Sequence, residues 1–275
     1  MEASEASYRE RLRKRLERKE KTYETSQLMK EKRSEEYEVL EEVFDKPTLM
    51  TIYEMMNHGI IGEIYGVVKA GKESRLYWGK SPEGEELAIK IYLTVSGEFR
   101  KGMLPYILGD PRFKNVKRDP RSLVYAWAKK EFKNLTDAYD AGVNVPKPFT
   151  VQNNVLVMEF IGENGVPAPL LKESKLKNPQ VFYKKVLSQV RKLYLDAKLV
   201  HGDLSEYNIM VYGGKPVLFD ISQAVNLEHP GAEQFLIRDV ENLNRYFESI
   251  GVDVLSLEEA LRRIKGGSAL RKDTA

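Results

Sequence analysis

HGDLSEYNIMVYGGKPVLFD, residues 201–220, decides how this chain is read. IMVY (209–212) and KPVLF (215–219) are short apolar runs joined by Gly213-Gly214, a dipeptide that accepts positive φ at both positions and so marks a two-residue hairpin. An antiparallel hairpin returns to its start. Asn208, just ahead of the first strand, and Asp220, just after the second, therefore become neighbours able to hold one cation. Asp203 precedes Asn208 in a tight loop, within reach of a hydroxyl that must be oriented or relieved of its proton. One such carboxylate and two oxygen ligands for Mg2+ are what phosphoryl transfer from a nucleotide needs. Each residue alone has a plainer explanation, Asn in a turn or Asp at a helix start. It is the complete order His201-x-Asp203-x4-Asn208, hairpin, Asp220 that carries the assignment.

Upstream, two charged residues fit the same chemistry. In EELAIKIYL (85–93) alternation puts Leu87, Ile89, Ile91 and Leu93 on one face and Ala88, Lys90 and Tyr92 on the other. A mid-strand Lys90 suits an ammonium that reaches the α- and β-phosphates, while Ala88 leaves room for a flat base; an exposed strand lysine is the competing explanation. The helical pattern of 121–142 weakens that competitor. Its apolar stripe runs through Val124, Trp127, Leu135 and Ala138, and Glu131 lies in the middle of it. A carboxylate there must find a cation, with Lys90 the natural partner, or bend out to solvent.

The remaining nucleotide contacts are read from VVKAGKESRLYWGK (67–80) and VLVMEFIGEN (155–164). The first lacks G-x-G-x-x-G, so phosphate would be cradled by the backbone amides of Gly71, Lys72, Glu73 and Ser74 and the Ser74 hydroxyl; a plain hairpin turn fits these residues too. The second is a buried-strand pattern that stops at Glu159-Phe160-Ile161-Gly162. Backbone groups of Glu159 and Ile161 suit an adenine edge, with Met158 behind it or simply in the core.

Composition fits a soluble cytoplasmic enzyme. At 275 residues and 42% hydrophobic, the chain can build a sizeable core. Its apolar runs fall short of the ~20 residues a membrane helix needs, and residues 1–20 hold no stretch suited to a signal peptide. With no cysteine, disulfides and thiolate metal sites are excluded; the 31% of charged residues adds to an archaeal, heat-adapted appearance. His58 and His229 stand apart and read as structural. Net charge is only +3, yet 9–21 (RERLRKRLERKEK) is basic and 35–45 (EEYEVLEEVFD) acidic. The first forty or so residues read as a charged helix, either solvated and laced with i,i+4 pairs or an RNA-binding arm. Residues 94–121 form a long basic insertion, expected to be flexible and either to fold over nucleotide or substrate or to remain a disordered loop.

GKES (71–74), LAIKIY (87–92), VSGEFR (95–100), AWAKKEFKNL (126–135), VLVMEFIG (155–162), PAPLLK (167–172), LVHGDLSEYNIM (199–210) and FDISQAV (219–225) together resemble the RIO family of atypical serine/threonine protein kinases, first subgroup, over about residues 45–250. The resemblance implies Lys90 and Glu131 as the ATP-orienting pair, Asp203 as catalytic aspartate and Asn208 with Asp220 as ligands of Mg2+ or Mn2+. It also implies that Asp220 accepts phosphate as an aspartyl-phosphate, and that the protein works on the pre-ribosomal small subunit or its RNA. Gly202 replaces the arginine of H-R-D. Asp220 is followed by Ile-Ser-Gln rather than Phe-Gly, and no A-P-E follows.

The expected fold is α+β, bilobal and protein-kinase-like, with an antiparallel-sheet N-lobe and a shortened helical C-lobe lacking an activation segment. Its expected parts are a charged extension (1–47), N-lobe (48–161), C-lobe (162–265) and tail (266–275), with helices at 48–57, 231–248 and 256–265. Two other readings compete: a small-molecule kinase of the aminoglycoside or choline type, disfavoured by the short C-lobe, and a nucleotide-gated ribosome-assembly factor with little turnover.

Overall fold

The computed structural model describes residues 44–94, 97–114, 116–117 and 119–267. Most of the charged extension and of the tail lies outside them. The chain divides into two compact units, residues 1–50 and 51–275. Of the first, the described part holds the start of helix α1 (Lys46–Asn57), where Asp45 caps the helix by accepting the Thr48 N–H at 3.1 Å.

The second unit opens with a five-stranded antiparallel sheet. Its strands are β1 (Glu63–Ala70), β2 (Ser74–Lys80), β3 (Glu86–Tyr92), β4 (Pro148–Gln152) and β5 (Val155–Glu159), in the order β1-β2-β3-β5-β4. β3 is central, and every residue from Leu87 to Tyr92 is buried. The apolar/polar alternation of its sequence therefore separates two covered faces rather than an inside from an outside, which makes Lys90 a buried cation. Register sets Ala88 opposite Met158.

Helix α3 (Pro120–Asp140) lies against β4 and β5. Asp119 caps it by accepting the Ser122 N–H at 2.9 Å, and Pro120 occupies the first turn, where a missing N–H costs nothing. After β5 a two-residue ribbon, β6 (Gly162–Glu163) with β7 (Val166–Pro167), leads into helix α4 (Pro179–Leu195). Strand β8 (Leu199–Val200) pairs with β11 (Val225–Asn226), and β9 (Ile209–Tyr212) with β10 (Lys215–Leu218). Gly213 and Gly214, at φ 57° and 69°, form the turn that the sequence predicts. Helices α5 (Ala232–Ser249) and α6 (Leu257–Ile264) close the chain. Trp127 and Leu135 of α3, Tyr183 and Val186 of α4, and Leu236, Val240 and Phe247 of α5 share one apolar core. Among the described residues no helix is long and apolar enough to cross a membrane.

The insertion differs from expectation. Its described residues form helix α2 (Gly97–Ile107) and a 3-10 turn at Pro111–Phe113 rather than a flexible loop. Met103 and Tyr106, one turn apart, bury their side chains together with Phe113, whose ring lies 6.3 Å from that of Trp127. Burying three large side chains outweighs the cost of Pro105 near the helix end and of the flanking glycines.

Candidate active site

Three chain segments far apart in sequence meet at Lys90. Its Nζ lies 2.9 Å from Glu131 Oε1 on α3 and 2.8 Å from Asp220 Oδ1 after β10. Glu131 is 1% exposed, and its second oxygen accepts the Tyr92 hydroxyl from the same strand as Lys90. Burial raises the Glu131 pKa, with Lys90 pulling it back. Burial would lower that of Lys90, but Asp220 and Glu131 outweigh it and hold the ammonium firmly charged. Asp220 is likewise raised by burial but brought below the usual carboxylate range by Lys90.

Asp220 occupies the left-handed region, φ 57° and ψ 50°, a conformation that costs a non-glycine residue about 1 kcal/mol or more and survives only when its surroundings enforce it. The 3-10 turn at Ile221–Gln223 supplies that enforcement. Lys130 Nζ donates to the carbonyls of Ser222 and Ala224 at 2.6 Å each, and Asn134 Nδ2 to those of Ile221 and Ala224 at 2.9 and 3.0 Å. Both side chains belong to α3, so the helix that carries Glu131 also pins the Asp220 turn. Burial brings Lys130 down to about 7; either protonation state can serve both carbonyls.

The Asp203 loop is held as tightly. Asp239, buried on α5, accepts the N–H groups of Gly202 and Leu204 at 2.8 Å each, and burial pushes its carboxyl up to about 7. His201, 1% exposed, bridges the loop to the strand before Asp220: its Nδ1 accepts the Asp203 N–H at 3.3 Å and its Nε2 lies 3.2 Å from the Phe219 carbonyl. Both bonds suit one neutral tautomer, and burial lowers the imidazole to about 4. Asp203 is raised by its own burial and by Asp220.

Asn208 donates its amide nitrogen to the Asp203 carbonyl at 2.7 Å, which leaves Oδ1 as a neutral oxygen donor. Its backbone carbonyl accepts the Phe219 N–H at 3.2 Å, so the hairpin brings it beside the residue preceding Asp220. An amide oxygen and a carboxylate suit a hard cation that keeps waters and phosphate oxygens in its other positions. Among the described residues no group of three or more His, Cys, Asp or Glu gathers to hold a metal. A two-donor site of this kind needs no such group.

A cavity of ≈ 220 Å³ is lined by Gly71, Lys72, Glu73, Ser74, Lys90, Glu131, Met158 and Asp220, all expected from sequence, and by Lys69, Leu76 and Phe219, which were not. One correction concerns Gly71. Its N–H donates to the Ser74 carbonyl at 2.9 Å, closing the β1–β2 hairpin, so that amide is not available to phosphate. At the end of β5 the Glu159 N–H is spent on the Lys147 carbonyl and the Ile161 carbonyl on the Ala168 N–H, at 2.8 and 2.9 Å. Asp239 shares the signal that exposes Glu131, a carboxylate on a buried helical face, here beside Leu236, Val240 and Leu243. Lys130 and Asn134 show it too, as polar residues on the buried face of α3.

Comparison with known proteins finds relatives over most of the chain. A model of the RIO domain matches residues 75–260. The RIO-type serine/threonine-protein kinase Rio1 of Haloferax volcanii is 42% identical over 225 residues, covering 82% of this chain and 77% of its own. That of Methanocaldococcus jannaschii is 40% identical over 236 residues, covering 85% and 80%. The human serine/threonine-protein kinase RIO1 is 40% identical over 80% of this chain but only 39% of its own length. The crystal structure of a Rio2 kinase-ADP/Mg2+-phosphoaspartate complex from Chaetomium thermophilum shares the fold, with a TM-score of 0.60 at 23% identity over 80% of this chain and 67% of that one. With its Lys90–Glu131–Asp220 cluster set between a five-stranded sheet and a short helical half, the chain belongs to the RIO domain family of protein kinases.

Proposed function

We propose that the cleft binds Mg-ATP and transfers the γ-phosphoryl group to a Ser/Thr hydroxyl, including one of its own, or to Asp220. The observation that carries this reading is the buried Lys90 ammonium bonded at once to Glu131 and Asp220. A cation held on one side by a fixed carboxylate and facing a cavity on the other is arranged to receive phosphate oxygens. As ATP enters, Lys90 keeps Glu131 and exchanges Asp220 for the α- and β-phosphates. Asp220 and Asn208 Oδ1 would hold Mg2+, and Mn2+ would suit the same donors; bound there, the ion would neutralise charge on the phosphate oxygens.

The other residues position the reactants. The amides of Lys72, Glu73 and Ser74, with the Ser74 hydroxyl, cover the phosphates. The Glu159 carbonyl and Ile161 N–H read the base edge, since their companion groups are engaged elsewhere, and Met158 packs behind it. Asp203 takes the acceptor hydroxyl proton as the oxygen attacks the γ-phosphorus and ADP leaves. In the alternative route an Asp220 oxygen attacks instead, and water later releases phosphate from the aspartyl-phosphate. The phosphoaspartate of the Chaetomium Rio2 complex supports that route.

We place the lobe boundary between Ile161 and Gly162, and the setting in the cytoplasm at the maturing small ribosomal subunit. Exposed Lys114, Lys117 and Arg121 in the insertion support contact with an RNA backbone. The test is incubation with γ-labelled ATP and Mg2+, following label on protein and released phosphate. Label removed by hydroxylamine and absent in Asp220→Asn identifies the acyl phosphate, and acid-stable label identifies the Ser/Thr ester. No label and no phosphate above the level of Asp220→Asn refutes transfer.

A further inference from the structure

Gly202 stands where ordinary protein kinases carry the arginine of H-R-D, and its surroundings show what replaces that side chain. The residue has φ +79°, and a Cβ there would lie 3.1 Å from the Gln223 carbonyl oxygen and 3.4 Å from Tyr106 Cε1. The space is filled by Tyr106, which comes from α2 in the insertion. Its hydroxyl lies 3.4 Å from the Gly202 carbonyl oxygen and accepts from Arg238 Nη2 at 3.1 Å; the same guanidinium nitrogen donates directly to that carbonyl. Arg238 precedes Asp239 on α5. The peptide unit joining Gly202 to Asp203 is therefore bonded at both ends, its C=O by Arg238 and Tyr106 and its N–H by His201.

Neither side chain is free to drift. The Tyr106 ring packs 5.0 Å from Phe235 and edge-on to Trp127 at 6.4 Å, and the Arg238 guanidinium lies 5.2 Å over the Phe235 ring. A planar guanidinium on a carbonyl is a charge-assisted bond of fixed direction, so it defines the tilt of the peptide plane. Rotation of that plane would swing the Asp203 carboxylate, and a displacement of about 1 Å at a reacting group costs on the order of 10²-fold in rate.

We propose that Arg238 and Tyr106 are positioning residues for Asp203, and that through them helix α2 of the insertion sets the aim of the catalytic carboxylate. The inference rests on the reading of Asp203 as catalytic. In a chain read as lacking an activation segment, it gives the insertion a route to the reaction centre that does not pass through ATP.

The test compares wild type, Tyr106→Phe, Arg238→Lys, Arg238→Gln, the Tyr106→Phe/Arg238→Gln double variant and Asp203→Ala for kcat and for the KM of ATP in label transfer and phosphate release, with melting curves alongside. Arg238→Gln is expected to lower kcat about 10- to 100-fold and Tyr106→Phe about 3- to 10-fold, with the ATP KM within about twofold. Arg238→Lys falls between Arg238→Gln and wild type. The double variant loses less than the product of the singles, because both side chains act on one carbonyl. Unchanged kcat in Arg238→Gln and Tyr106→Phe while Asp203→Ala is inactive overturns the proposal alone. A parallel loss of kcat, ATP affinity and melting temperature also overturns it, as the signature of a merely structural role. If Asp203→Ala turns over like wild type, the catalytic reading falls and the proposal falls with it.

Discussion

Replacing Lys90 by Met removes the cation while nearly keeping its volume, and the structure predicts which group suffers. Asp220, with a side chain 39% exposed, keeps part of its hydration; Glu131, at 1%, keeps none. It is left with the Tyr92 hydroxyl, and a buried ion stripped of its partner costs about 3–5 kcal/mol. Glu131 can escape that cost only by taking up a proton. Its pKa is already raised by burial with Lys90 holding it down, so in the variant it rises further. A carboxyl whose folded pKa stands above its unfolded value loses stability as pH climbs from the unfolded value through the folded one. The deficit of Lys90→Met is therefore smallest at acid pH and grows as pH rises. Urea unfolding followed by the fluorescence of Trp78 and Trp127 measures it, and with a slope of roughly 2 kcal/mol/M the midpoint falls by about 1.5–2.5 M at the alkaline end. The Lys90→Met/Glu131→Gln double variant, with no charge left to bury, recovers most of the loss. A Lys90→Met protein within about 0.5 kcal/mol of wild type near pH 8, or a deficit that does not change with pH, refutes the buried-pair reasoning.

Three further outcomes follow from the loop around Asp203. His201 is held neutral with a folded pKa of about 4 against an unfolded 6.5, so about 3 kcal/mol of stability present above pH 6.5 is lost as pH falls toward 4; urea midpoints across that window show the slope, and His201→Asn removes it. Asp239→Asn leaves one oxygen facing two N–H groups and lowers kcat about 10- to 100-fold with the ATP KM unchanged; because the Asp239 carboxyl titrates near 7, wild-type kcat declines below that pH and the variant loses that limb. Gly202→Ala places a Cβ 3.1 Å from the Gln223 carbonyl in a left-handed conformation, at a cost of about 1–2 kcal/mol read as a lower melting temperature, together with a fall in kcat.

The parts of the site that the sequence exposes are those where a local rule is broken on an otherwise regular element. Glu131 interrupts an apolar stripe, Lys90 is the one charge inside the apolar run LAIKIYL, and Gly213-Gly214 marks the turn that brings Asn208 beside Phe219, the residue before Asp220. Asp239 carries the same mark as Glu131 and is readable in the same way once the buried face of α5 is drawn. The insertion is not, because glycine, proline and seven Lys/Arg between residues 94 and 121 mask the three apolar side chains that order it. Tyr106 and Arg238 are harder still: each looks ordinary on its own helix, and only the fold brings both to the Gly202 carbonyl. The Gly71 amide misleads for the converse reason, since a turn that closes on itself uses the N–H that a phosphate loop would leave open. The basic N-terminal arm falls on residues 1–43, outside the described chain, and its contact with RNA stands as an expectation.

The central claim is that Asp203 and the Lys90–Glu131–Asp220 cluster form one phosphoryl-transfer site. Its most direct test is a single-turnover measurement with γ-labelled ATP and Mg2+, comparing wild type with Asp203→Ala at matched nucleotide occupancy. The account predicts that nucleotide still binds and that transfer to protein or water slows by about 10²–10⁴ in the variant. Equal rates in the two proteins, or label that neither acquires above background, would contradict it.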